Sequence, residues 1–160
     1  MEKILNKENK DEETFLHQKV KSFDFSLYSA KEIKELISTM RRIMIEKNGI
    51  GLAANQIGLD LALFVARDGK DFYAVFNPRI TKEYGEKVEM EEGCLSVPGY
   101  QGRAKRYEKV LLEGQDARGK KLKIKAWGLL AHIFQHETDH LKGILYTDHA
   151  QDITKLEKES

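Results

Sequence analysis

The segment His132-Ile133-Phe134-Gln135-His136-Glu137-Thr138-Asp139-His140-Leu141-Lys142-Gly143 limits how this chain can fold more than any other stretch. Its centre, His136 to His140, has the pattern HExxH. Residues four apart on a helix stack on one face, so two imidazoles at this spacing can hold one metal ion. The carboxylate after the first histidine then lies beside the ion's open position, where it can carry protons. Leu129, Leu130, Ile133, Phe134 and Leu141 give the segment an apolar face and predict a buried helix over residues 128–142. The competing interpretation is an ordinary amphipathic helix with surface histidines. A third ligand decides between the two.

The chain has 160 residues, the size of one domain with its own core. We expect a single catalytic domain over residues 1–160, with a loose arm over 1–12 and a short polar tail over 148–160. The 27 Lys and Arg against 26 Asp and Glu leave a net charge of +1, which makes no electrostatic case for nucleic acid or a membrane surface. No apolar run is long enough to span a bilayer, and the first residues lack the apolar core of a secretory signal, so a cytoplasmic protein is expected. In that reducing compartment the single cysteine, Cys94, is a small core residue, a reactive thiol or a metal ligand.

The remaining elements follow from periodicity. A short helix is expected over residues 13–20, with Phe15, Leu16 and Val20 inward. Ser29 and Glu32 form a capping box ahead of Ile33, Leu36, Ile37, Met40, Ile43 and Met44, a helical stripe ended by Asn48-Gly49. Next comes Gly49-Ile50-Gly51-Leu52-Ala53-Ala54-Asn55-Gln56, whose small residues suit a tight turn or close packing; Gln56 alone has an amide to point into a cleft. Strand signals run over residues 61–65 and 72–76 around the hairpin residues 67–70, with Asn77-Pro78 as a break and Gly85 as a bulge position. Residues 109–113 and 121–126 make a second pair, and its row of Lys121, Lys123 and Lys125 fits a solvated sheet face or edge protection better than a docking patch. The fold class is therefore α+β: antiparallel strands packed around a central HExxH helix, with a second long helix ahead of the small-residue stretch.

Catalytic sites of this kind take three protein ligands and keep one position open. Downstream of His140, position 146 is Tyr where a histidine would extend the motif, and His149 comes three residues too late. An acid among Asp148, Asp152, Glu157 and Glu159 stays open as the third ligand, and the Cys94 thiolate is the chemically better one.

Three stretches now resemble the signature motifs of peptide deformylases: Gly49 to Gln56, Glu92-Gly93-Cys94-Leu95-Ser96, and Gln135 to His140. They stand in order, and the resemblance covers residues 36–146. It implies removal of the formyl group from the N-terminal formyl-methionine of nascent chains. By that resemblance Cys94, His136 and His140 bind a divalent metal, usually Fe²⁺ in the family, with Zn²⁺, Ni²⁺ or Co²⁺ also suited to one sulfur and two nitrogens. Glu137 is then the proton carrier, while the Leu95 N–H and the Gln56 amide bind the oxyanion, each such donor being worth roughly 3 kcal/mol. Gly49, Ile50 and Gly51 are expected to pair with the substrate backbone as an added strand. Leu129 and Ile133 are expected to form the methionine pocket, with His132 as a polar wall that alters its tolerance.

The sequence also departs from the family pattern. Gln101-Gly102 stand where an arginine is common, so Arg103 or Arg106 is expected to compensate, and Glu92 to pair with Arg106 behind the metal. Phe15 to Val20 stands for the usual Pro-containing N-terminal segment. The short tail, with Ile153 and Leu156 anchoring a last turn, argues against ribosome docking through it; His17 and His149 are expected to be plain surface residues. Two other classes share parts of the pattern. A small HExxH peptidase would use a ligand other than Cys94, and a non-catalytic peptide binder would have no use for Glu137.

Overall fold

Strand β2 (Leu63–Asp68) is apolar on both faces because a helix lies against each. On one side Leu63 and Val65 pack on α2 (Ala30–Glu46) through Met40, Ile43 and Met44. On the other, Phe64 and Ala66 pack on α3 (Gly128–Leu141) through Ala131, Ile133 and Phe134. Such a strand reads as a continuous apolar run and not as an alternation. The computed structural model describes residues 3–156.

The sheet runs β1-β2-β3-β4-β5, with β1 (Gly51–Ala53), β3 (Asp71–Cys94), β4 (Val97–Gln115) and β5 (Lys121–Trp127). All the pairings are antiparallel, and β6 (Gln151–Lys155) joins β4 along Tyr100 to Arg103. Among the described residues no helix is long and apolar enough to cross a membrane. The α+β architecture, with antiparallel strands around the HExxH helix and a long helix ahead of β1, is the one the sequence led us to expect.

Both long helices end in the same way. After α2 the Gly49 amide donates to the Met44 carbonyl (2.8 Å) and the Asn48 amide to Ile45 (3.0 Å), with Asn48 left-handed at φ 56°. After α3 the Ile144 amide donates to Asp139 (2.9 Å) and the Gly143 amide to His140 (3.0 Å), with Gly143 at φ 82°. These paired bonds satisfy carbonyls that a helix end leaves open. At the other end of α2 the expected Ser29–Glu32 capping box is present.

Several expectations are corrected. The short helix α1 spans Lys10–Leu16, not 13–20, because Asn9 caps it by accepting from the Asp11 and Glu12 amides. Of the arm expected over residues 1–12, the described part, 3–12, is accordingly not loose: the Leu5 amide donates to Gln56 O (2.7 Å) and the Lys7 amide to Ser96 O (2.8 Å). The polar tail includes β6, so Ile153 lies in a strand and not in a last helical turn. Asn77-Pro78 does not break β3. The strand continues through a register shift in which Asn77, at φ 49°, bonds both the amide and the carbonyl of Phe23. The first hairpin turns on Gly69-Lys70 alone, with glycine at the position that needs positive φ.

Candidate active site

Cys94 is the last residue of β3, and the turn at Leu95-Ser96 folds the chain back so that Cys94 pairs with Val97. This hairpin tip meets the middle of α3. Cys94 Sγ lies 3.3 Å from His140 Nε2, which lies 3.1 Å from His136 Nε2. The candidate ligand atoms of the three residues all fall within 4.8 Å of one another. A tetrahedral ion bound at about 2.0–2.3 Å would set such edges at roughly 3.4–3.6 Å, so the two edges that meet at His140 are slightly shorter than a bound cation would set them.

Glu92 fixes which nitrogen of His136 faces the cluster. The His136 Nδ1 is bonded to Glu92 Oε1, which leaves Nε2 turned towards His140 and Cys94. Arg106 holds the same carboxylate in a two-point bond, Nη2 to Oε1 at 2.8 Å and Nε to Oε2 at 3.0 Å, and its Nη1 donates to Asp139 Oδ2 at 2.5 Å. The expected Glu92–Arg106 pair is thus present. Burial alone would raise the Glu92 carboxyl, but His132, His136 and Arg106 outweigh it and hold the group well below the usual carboxylate range.

The electrostatics of the cluster suit a cation. Burial opposes charge on His136, yet Glu137, Cys94 and Glu92 raise its imidazole well above its ordinary value. Burial and the neighbouring His136 push His140 well below its own. Burial lifts the Glu137 carboxyl to about 7, and a bound cation would act in the opposite direction. His140 Nδ1 and Glu137 Oε1 are buried with no hydrogen-bond partner. One thiol, two converging imidazole nitrogens and two buried carboxyls therefore draw positive charge to one point, and the donor set fits a divalent transition metal.

The other expected residues surround this point. The Gln56 amide is oriented by its own oxygen, which accepts from the Ala53 amide at 2.9 Å; Nε2 then points at Ser96 Oγ (3.1 Å) and Cys94 Sγ (3.4 Å). Glu137 packs directly over Gly51. Leu95 lies against Gly49, where a β-carbon would come within 2.8 Å of Leu95 Cδ1. Gly49, Ile50, Gly51, Leu129, His132 and Ile133 all line one cleft of about 1000 Å³, whose wall also includes Gln56, Cys94 and Glu137. Arg67 occupies the Gly49 and Ile50 carbonyls from one side, while β1 stands at the end of the sheet order with one strand neighbour.

Some expectations need adjustment here. The His132 ring turns to the carboxylate behind the metal cluster, with Nε2 2.9 Å from Glu92 Oε2 but not aligned as a hydrogen bond. It forms part of the cleft wall and also crowds that support. Arg106 and Arg103 do not replace a rim arginine: Arg106 is buried behind the site, and Arg103 faces Glu89 and Asp152 at 3.6 and 3.7 Å. His17 is not a plain surface residue, since it pairs with Asp148 at 3.1 Å. Glu157 and Glu159 lie outside the described residues.

Three residues with clear parts in the site lie inside the quoted motifs but were given no role from the sequence. Asn55 donates to the His140 carbonyl at 2.7 Å, pinning the small-residue segment to α3. Ser96 accepts from Gln56. Gln135 bonds both the amide and the carbonyl of Tyr107, at 2.9 and 2.8 Å, and so fixes α3 to β4. Besides their place in those motifs, their sequence signal is an uncharged polar side chain inside an otherwise apolar, buried segment.

Comparison with known proteins places the chain in one family. The family model described as polypeptide deformylase matches residues 1–156. A peptide deformylase of Dehalococcoides mccartyi strain CBDB1 is 43% identical over 141 residues, covering 87% of this chain and 80% of that protein. The crystal structure of a Synechococcus elongatus peptide deformylase in complex with actinonin superposes with a TM-score of 0.85 at 31% identity, covering 94% of this chain and 79% of the other. The peptide deformylase of Thermus thermophilus gives 0.83 at 37% identity, covering 92% and 84%. The chain belongs to the polypeptide deformylase family.

Proposed function

We propose that this chain removes the formyl group from the N-terminal formyl-methionine of nascent polypeptides by hydrolysis, with Cys94, His136 and His140 as the metal ligands. The observation that carries the reading is the meeting of these three side chains beside Glu137 at the wall of the cleft. Cys94, His136 and His140 would hold a divalent ion there, which would supply a water acidified from a pKa of about 15.7 towards about 7.

The chain's own groups do the rest. Glu137, buried and lacking a partner on Oε1, accepts the proton of the attacking water and returns it to the departing amine, so that formate and a free N-terminus result. The Gln56 Nε2–H and the Leu95 N–H donate to the oxygen that becomes negative on the formyl carbon. Glu92 and Arg106 keep His136 oriented. The free edge of β1 takes the substrate backbone as an added strand, which requires nothing of the side chains beyond the first. Leu129 and Ile133 receive that first side chain.

The ligand set of one sulfur and two nitrogens suits Fe²⁺, Zn²⁺, Ni²⁺ and Co²⁺ alike, and membership of the family favours Fe²⁺ in the cell. Because formylated chains are made in the cytoplasm, we place the enzyme there. The test is formate release from formyl-Met-Ala by metal-loaded protein. Turnover by the wild type, lost in Glu137→Ala, is the expected result; a metal-loaded wild type that releases no formate would overturn the assignment.

A further inference from the structure

The total charge of +1 conceals an uneven distribution. Side chains directly opposite one another in an antiparallel sheet share a face. The register pairs Lys121, Lys123, Lys125 and Trp127 of β5 with Gln115, Glu113, Leu111 and Lys109 of β4. It pairs Arg79, Lys82 and Tyr84 of β3 with Glu113, Leu111 and Lys109. The face turned away from α3 therefore gathers Arg79, Lys82, Lys109, Lys121, Lys123 and Lys125 against the single carboxylate of Glu113. Helix α2 covers this side of the sheet over β1 and β2, and the lysines of β5 are exposed. Glu113 is occupied by Lys123 at 3.7 Å; among the described residues no carboxylate lies within ion-pair distance of Lys82, Lys109, Lys121 or Lys125.

Aromatic rings are set among these cations. Lys109 Nζ stands 4.8 Å from the Tyr84 ring and 5.0 Å from the Trp127 ring, and Lys125 Nζ stands 5.9 Å from Tyr84. Trp127 remains 57% exposed. It is also the residue that joins this face to the catalytic helix, closing β5 and preceding Gly128; Leu129, two positions on, lines the cleft. The basic face thus ends where the cleft begins.

We propose that the outer face of β3, β4 and β5 is a docking surface for the sugar–phosphate backbone of RNA, with Trp127 as a stacking platform at its edge. Alternate residues on a strand stand about 6.8 Å apart and neighbouring strands about 4.8 Å apart, so the face is a grid of cations matched to a polyanion and not to one small anion. An exposed indole among lysines suits a partner that offers bases as well as phosphates. RNA over other polyanions rests on the deformylase reading, since a nascent peptide is presented by an RNA-rich machine; the charge pattern itself does not depend on that reading.

The test uses the metal-loaded full chain and a fluorescein-labelled RNA hairpin, followed by anisotropy. Neutralising about four phosphates predicts a roughly hundredfold loss of affinity between about 50 and about 200 mM salt. The combined variant Lys121→Glu, Lys123→Glu, Lys125→Glu is expected to bind the hairpin at least about tenfold more weakly. Formate release from formyl-Met-Ala should be unchanged in that variant, which separates docking from catalysis. If charge reversal lowers turnover, the set Lys121→Gln, Lys123→Gln, Lys125→Gln is read by the same criteria. Equal RNA affinity of wild type and variant overturns the proposal, as does binding to phosphatidylserine vesicles in place of the hairpin. Loss of formate release by the wild type with salt-sensitive RNA binding intact would sink the deformylase reading alone.

Discussion

Gly51 lies so close beneath Glu137 that a β-carbon at position 51 would overlap Glu137 Oε2 and come within 2.8 Å of Glu137 Cδ. The two residues are far apart in sequence, yet the position of the proton-carrying carboxylate depends on the missing side chain. Gly51→Ala should therefore displace Glu137 and not the ligands. A misplacement of about 1 Å at a reacting group costs on the order of a hundredfold in rate. The expected outcome is a loss of that size in kcat/KM for formyl-Met-Ala with metal content unchanged. Full activity of the alanine variant would show that Glu137 has room this structure does not reveal.

Arg106 and Glu92 form a buried pair whose far side touches His136. Removing one member leaves an uncompensated charge in the interior, which costs about 3–5 kcal/mol. Arg106→Leu should lower stability by that order in urea denaturation of the metal-free protein. It should also weaken metal affinity about 10- to 100-fold in chelator competition, because His136 loses a firmly held partner. A variant with normal metal affinity would mean that Glu92 orients His136 without Arg106.

Cys94→Ala should abolish stoichiometric metal binding, leaving two imidazoles that hold an ion too weakly to survive dialysis. With Co²⁺ added, the wild type should show thiolate-to-metal absorption and the variant should not. Retained metal at one equivalent would point to a different third ligand and towards an ordinary HExxH peptidase.

The parts of this molecule that rest on local pattern were legible in the sequence. The α2 cap at Ser29, the α3 stripe and the His136/His140 spacing all state their geometry within a few residues. Cys94 was legible as a ligand only through chemistry and resemblance, because its position at a hairpin tip depends on the register of β3 and β4. That register is set over nearly the whole length of two long strands, and no local signal encodes it. Asn55, Ser96 and Gln135 were missed for the same reason: each bonds a residue distant in the chain. The N-terminal residues read as loose because they carry charge without period. Their order comes from two backbone bonds to Gln56 and Ser96, which composition cannot register.

Gly143 ends α3 at φ 82°, and a β-carbon there would stand 2.5 Å from the His17 carbonyl oxygen. Left-handed backbone costs a residue with a β-carbon about 1–2 kcal/mol, and the backbone clash adds to it. Gly143→Ala should lower stability by about 2–4 kcal/mol, a fall of several degrees or more in Tm for a chain of this size. Because the strain lies one turn past His140, kcat at temperatures well below the transition should change much less than Tm. A melting point within one degree of wild type would contradict the close approach of α1 and the end of α3.

His17, just after α1, reaches Asp148 with Nε2 and the Glu13 carbonyl with Nδ1. Burial alone would lower its imidazole, but the Asp148 carboxylate and the Glu13 carbonyl outweigh that and raise it above the ordinary value. The sign of the linkage follows. A raised folded-state pKa contributes stability that is fully present below the unfolded value of about 6.5 and is lost as pH rises through the folded value. His17→Gln should therefore be less stable than wild type near pH 6, where Asp148 is still ionised, and the gap should close as pH rises past neutrality. The pair is partly exposed, so the difference should be within about 1 kcal/mol and should shrink in high salt. Urea midpoints of both proteins across that pH range provide the check, and a gap that widens with rising pH would reverse the assignment of the proton to His17.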